Sequence, residues 1–305
     1  MQTVILIIIS LLIIPVLAAF IKKVKALLTG KQGPPLLIKY YTLVKLFAKG
    51  SVYSTSTTFI FRFMPVVALA APLMALLFLP LAGAPALLSF AGDAILIFYL
   101  LGLARFFTVC AALDTASPFE GMGASREAFF SVLSEATLFM VLVLFYRING
   151  SLSFSSYFQG NNPINLWSAE GTLLLLVVAA LFMVLLAENA RVPVDDPATH
   201  LELTMIHEVM ILDHSGPDLA LIELGAWTKL YFYAAFIANI MTPIYPGKPW
   251  ATALVFLLII VFIYFAVGLV ESITARSKMN LVPKFILTSF SFAFFATILT
   301  MELTR

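Results

Sequence analysis

Along its length the chain alternates long apolar runs with short polar interruptions, and the runs share one characteristic size. Stretches near 3–22, 60–82, 93–113, 127–147, 171–190, 218–241, 250–272 and 282–303 are each about as long as a helix needs to cross the hydrocarbon core of a bilayer, roughly 20 residues. A chain crossing lipid must satisfy its backbone polar groups internally, so runs of this length predict helices. The pattern therefore predicts an all-α polytopic membrane protein with about eight transmembrane helices, forming a single transmembrane domain over 1–305.

Two segments break the alternation. Segment 23–59 is polar, basic and aromatic, with Lys39, Tyr40, Lys45 and Phe47 at near-helical spacing. It is expected to lie along the cytoplasmic interface as one or more amphipathic helices, the alternative being a solvated loop. The second, 188–217, holds all three histidines and, counting Asp218 just beyond it, seven of the chain's 16 acidic residues.

Composition removes the soluble alternatives. Only 11% of the 305 residues are charged and 62% are hydrophobic, against about a quarter charged in ordinary globular domains. The net charge of +2 says little, but its distribution says more. Lys and Arg concentrate after the first, third, fifth and seventh helices, which the positive-inside rule places in the cytoplasm, so both termini face outward and 188–217 is a cytoplasmic loop. The basic segment abuts a membrane and anchors it there, so no nucleic-acid partner is expected. A single cysteine, Cys110, allows neither an internal disulfide nor a cysteine-ligated cluster within this chain.

Five ionisable residues fall inside or at the ends of the spans: Arg105, Glu135, Glu188, Lys229 and Glu271. Each costs at least ~2.5–3.5 kcal/mol at a helix centre unless it is paired or hydrated. Two readings stand side by side, a proton or ion relay and a static set of ion pairs that fixes helix packing.

Other chemistry fails on spacing. His200, His207 and His214 are seven residues apart. On a continuous helix each step rises about 10 Å, whereas zinc requires nitrogen ligands at about 2.0–2.1 Å. His207-Glu208 lacks the second histidine of a zincin, since Ile211 stands there. No metal site and no catalytic constellation are expected.

The polar islands carry a pattern. Ala104-Arg105-Phe106-Phe107, then Leu113-Asp114-Thr115-Ala116-Ser117-Pro118-Phe119, then Gly123-Ala124-Ser125-Arg126-Glu127 resemble the membrane anchor subunit of formate hydrogenlyase and related energy-converting nickel–iron hydrogenases. That family is in turn similar to the complex I membrane subunit beside the quinone site. Glu188, Arg191, Pro193 and Asp195 match its Glu…basic…Pro-Phe-Asp motif with Val194 in place of Phe, and Glu271 with Ala275-Arg276 matches the close of its seventh helix. The usual Glu-Tyr-Ser-Gly reads Asp213-His214-Ser215-Gly216 here, and Ala198 and His200 align with two of the family's loop glutamates, Glu202 being kept.

The resemblance implies a non-catalytic subunit of an oxidoreductase complex. Glu135, Glu188, Glu271, Arg105 and Lys229 would form its relay. Asp114, Arg126, Glu127, Arg191, Asp195, Asp196, His200, Glu202, His207, Glu208, Asp213 and His214 would form a cytoplasmic docking surface for hydrogenase-like large and iron–sulfur subunits. Antiporter-like subunits would lie beside it in a bacterial or archaeal cytoplasmic membrane. Iron–sulfur clusters and a nickel–iron centre would sit on the partners, with no cofactor in this chain. A quinone-site subunit of a complex I-type NADH dehydrogenase and a free-standing secondary transporter are the other readings.

Overall fold

The computed structural model describes residues 2–159, 163–167, 171–196, 205–245 and 247–303. His200 and Glu202 lie outside the described residues. Among the described residues ten α-helices follow one another: α1 (Gln2–Leu28), α2 (Ile38–Phe47), α3 (Phe59–Phe78), α4 (Asp93–Asp114), α5 (Pro118–Asn149), α6 (Phe154–Gln159), α7 (Gly171–Glu188), α8 (Gly216–Met241), α9 (Pro249–Ile273) and α10 (Val282–Leu303). Seven of these (α1, α3, α4, α5, α7, α9 and α10) are long and apolar enough to cross a membrane. The protein is thus an all-α, multi-pass membrane protein.

The eighth expected span, α8, is equally long but less apolar, and its position explains why. It packs against α1, α2, α3, α7 and α9, and nearly every residue from Trp227 to Ile240 is buried. A helix surrounded by protein need not be soluble in lipid, so it can carry Lys229, Tyr231, Tyr233 and Asn239. Asn239 donates to the Pro80 carbonyl at 2.7 Å, satisfying a polar group that would be costly in hydrocarbon. Gly225 allows the tightest crossing: a Cβ there would lie 2.3 Å from the Ala68 carbonyl oxygen of α3.

On the other side of the bundle, α5, α7 and α10 pack together, and α4 bridges α3 and α5. At the end away from the lysines, Phe145, Phe154 and Phe236 interlock edge to face, with the Phe154 and Phe236 rings 5.1 Å apart.

Boundaries differ from the hydropathy reading where polar residues continue a helix. α1 runs six residues past the expected 22, through Lys23 and Lys25, and α5 begins nine residues before 127. Pro118 sits in the first turn of α5, where its missing N–H costs nothing. Between the end of α1 and the start of α3 only α2 is helical. Leu37, Tyr41, Val44 and Phe47 are exposed along α2, an apolar stripe at helical spacing that suits a membrane interface.

Candidate functional site

The C-terminus of α7 builds the site. Ala190 adopts φ 48°, the left-handed conformation that usually falls to glycine, and the chain closes a Schellman-type end with Ala190 N–H on the Ala187 carbonyl and Arg191 N–H on the Leu186 carbonyl. This leaves Glu188 in the last turn, with a carboxylate and an uncapped carbonyl at the negative end of a helix dipole. Both need cations, and neighbouring helices supply two.

Lys229 of α8 donates to the Glu188 carboxylate at 2.9 Å and to the Glu188 main-chain carbonyl at 2.7 Å. Arg105 of α4 donates to the same carboxylate and to Glu135 of α5, and its Nε lies 3.6 Å from Glu127. The Ser134 hydroxyl also donates to Glu188, and the Tyr233 hydroxyl lies against it. Glu127 and Glu135 are eight residues apart, so both face α4 and Arg105 reaches each.

Two cations thus meet three carboxylates, leaving one negative charge in excess when all are ionised, or one proton held among them. Glu188 is buried, whereas the Glu135 side chain keeps 44% of its surface exposed and opens on a small cleft lined by Phe98, Leu101, Leu138 and Phe139.

A second cluster lies nearer the basic end. Glu271 of α9 pairs with Lys25 of α1 at 3.0 Å and with Arg191 at 3.2 Å. Here two cations meet one carboxylate, the opposite imbalance. The two clusters are joined through the backbone from Glu188 to Arg191.

Of the residues singled out from sequence, Arg105, Glu135, Glu188 and Lys229 come together, and Glu271 stands apart in its own triad. Glu127, expected in the docking surface, instead belongs to the Arg105 cluster, because α5 starts early and packs it against α4. Arg191 likewise faces Glu271. Asp114 ends α4 and accepts from the Thr58 N–H at 2.6 Å and hydroxyl at 3.0 Å, steadying the start of α3.

Asp195 organises the loop. Its carboxylate pairs with Arg276 at 2.8 Å and accepts the backbone N–H groups of Asp196, Ile206 and His207. Arg126 donates to the Met205 carbonyl. Glu208 opens a short 3₁₀ turn, Glu208–Ile211, so 205–215 is not a continuous helix and His207 and His214 do not share one helix face. Gly123 lets this turn lie on α5, since a Cβ there would sit 2.2 Å from Val209. Asp213 approaches Glu120 through its backbone. His214 stacks on Phe61, rings 3.9 Å apart and nearly parallel.

The chain that sets these buried charges in a membrane bundle matches a family model described as NADH dehydrogenase, over residues 1–301. The chain belongs to the NADH dehydrogenase family. Two relatives from Escherichia coli (strain K12) align with this family member over nearly their whole length. Hydrogenase-4 component C is 29% identical over 292 residues, covering 94% of this chain and 91% of that protein. Formate hydrogenlyase subunit 4 is 28% identical over 289 residues, covering 92% of each. The fold is shared with a chain of the membrane-bound sulfane sulfur reductase, an archaeal respiratory membrane complex, at a TM-score of 0.83 and 21% identity over 98% of both chains.

Sequence reasoning passed over Lys25, Ser134, Tyr233 and Glu120. Ser134 immediately precedes a membrane glutamate, and a serine at such a place is a readable signal. Lys25 reads as one more interfacial lysine. Outside the spans, burial lowers the Lys39 ammonium pKa, partly offset by Glu223 at 3.2 Å, and Lys39 also lies over the Trp227 ring.

Proposed function

We propose that this chain is the membrane subunit of an energy-converting redox complex, anchoring a cytoplasmic hydrogenase-type module and coupling its electron transfer to proton (or sodium) translocation. The observation that carries the reading is Glu188, a buried carboxylate bridging Arg105 and Lys229 at the end of α7, three residues from Arg191. A carboxylate held between two cations inside the bundle responds to any movement of either cation. The helix that carries it runs straight into the loop where a soluble partner docks. The hydrogenase-4 and formate hydrogenlyase relatives support the same role.

In this reading the 188–217 loop, with Arg126, Asp195, Asp196, His207, Glu208, Asp213 and His214, faces hydrogenase-like large and iron–sulfur subunits in the cytoplasm. The nickel–iron centre and iron–sulfur clusters belong to those partners, and the membrane is the bacterial or archaeal cytoplasmic membrane. Antiporter-like subunits take the ion onward. Glu135 supports a lateral neighbour, since a carboxylate left partly open to lipid is costly and a membrane subunit would cover it.

The test is substitution in the assembled complex. Glu188→Gln and Glu135→Gln should each leave assembly intact and reduce coupled ion movement about tenfold or more, read by pH- or sodium-sensitive dye in vesicles. Normal coupling in both variants would overturn the reading.

A further inference from the structure

The 205–216 loop ends in a side chain that the relay does not use. His214 is 4% exposed, and neither ring nitrogen has a hydrogen-bond partner. One ring face lies on Phe61. The surroundings are apolar: Phe61 and Met64 of α3, Ala111 of α4, Ile211 of the loop and Ile222 of α8 form one cluster, with Tyr53 and Phe107 against it. Here the loop meets the segment after α2, where the Ser215 hydroxyl accepts the Val52 N–H and a Cβ on Gly216 would meet the Gly50 carbonyl at 2.6 Å. A neutral imidazole fits this packing as an aromatic plate. An imidazolium does not, having two charged N–H donors and no acceptor.

We propose that His214 is a proton-sensitive latch: neutral, it holds the 205–216 loop against α3 and α8, and protonation releases the loop. The proposal deepens the docking role assigned to this loop above, and rests on that reading only for its consequence, weaker partner docking in acid.

The sign follows from burial. Loss of hydration pushes the imidazole down to about 4, partly countered by Asp218, from about 6.5 when exposed. The closed loop therefore binds fewer protons than the open loop between those values, so closure is complete above about pH 6.5 and weakens as pH falls through that window. With the released ring at its ordinary value, the opening constant rises roughly 30-fold between about pH 7.5 and pH 5.

The other titratable and charged groups at this end of the surrounding elements are Lys49 and Tyr53 of the segment after α2, Arg62 of α3, Cys110 and Asp114 of α4, Glu120 and Arg126 of α5, His207, Glu208 and Asp213 of the loop, and Asp218 and Glu223 of α8. Of these, Asp114 is engaged by Thr58, Tyr53 lies under Arg62, and Glu223 pairs with Lys39. Glu120 is buried beside Asp213 with one carboxylate oxygen unpartnered, and a proton on it would hold the packing rather than release it.

The experiment is hydrogen–deuterium exchange on the full chain in nanodiscs at pH 7.5 and pH 5, corrected for intrinsic exchange. The 205–216 amides should lose protection about tenfold or more at pH 5, while α8 amides from 225 onward do not change. His214→Tyr keeps an aromatic plate without a proton to gain in this range, and should abolish the difference. Should that variant misfold, the wild-type profile alone decides: a midpoint between about pH 4 and 6.5 is expected, and protection that does not vary with pH overturns the latch. A loss that persists in His214→Tyr also overturns it, assigning the switch to another group of the loop. Exchange is read without partners, so a working latch beside unchanged partner docking in acid would count against the docking reading alone.

Discussion

At the scale of single residues, the site is a problem of satisfying one carboxylate. Glu188 sits where a helix dipole is negative, so two cations and a hydroxyl converge on it, and a lost partner is felt by the rest. Ser134 isolates one contribution. A hydrogen bond to a charged group is worth about 1.5–3 kcal/mol, so a double-mutant cycle of Ser134→Ala with Glu188→Gln should give a coupling energy in that range. Thermal unfolding in detergent measures it, and additive effects would mean that the hydroxyl is idle. The charged residues were legible in the sequence, because each was out of place in an apolar run. Their pairing was not. Nothing in the spacing of Glu271 separates it from Glu188, and only the fold shows it meeting Lys25 and Arg191.

At the scale of elements, hydropathy located helices well and misjudged their ends. It stops counting where polar residues begin, yet α1 continues through Lys23 and Lys25 and α5 starts at Pro118, bringing Glu127 into the bundle. The loop is tied down by backbone donors to Asp195 and by glycine contacts, neither of which has a hydrophobic pattern to read. The α3–α8 crossing gives a direct check. Gly225→Val pushes branched carbon into the Ala68 carbonyl, and should destabilise the bundle by about 1–3 kcal/mol or more. Gly50→Val, where a Cβ would meet nothing within 4 Å and φ is not positive, controls for loss of glycine itself. Equal loss of thermal stability in the two variants would remove close packing as the reason for Gly225.

At the scale of the molecule, the bundle has an inside that is not apolar and an outside that is not uniformly apolar. The inside is α8, whose polar residues lowered its resemblance to a membrane span for the same reason that they matter. The outside exception is the α4–α5 face, where Glu135 and Phe139 flank one cleft. If a membrane subunit covers this face, the Phe139→Cys variant should form a specific disulfide or bis-maleimide cross-link with one co-purifying membrane chain in native membranes. Leu258→Cys, on an exposed position of α9, should not give that same product. Complete labelling of the Phe139→Cys thiol by lipid-soluble maleimide, with no cross-link, would leave the face to lipid.

The second bond made by Lys229 has a further consequence. Because the ammonium also holds the Glu188 main-chain carbonyl, it keeps an anchor whether the carboxylate is ionised or neutral. The joint between α7 and α8 is thereby decoupled from the charge it surrounds. In the proposed relay a proton would be taken up and given back with the two helices still joined at this carbonyl.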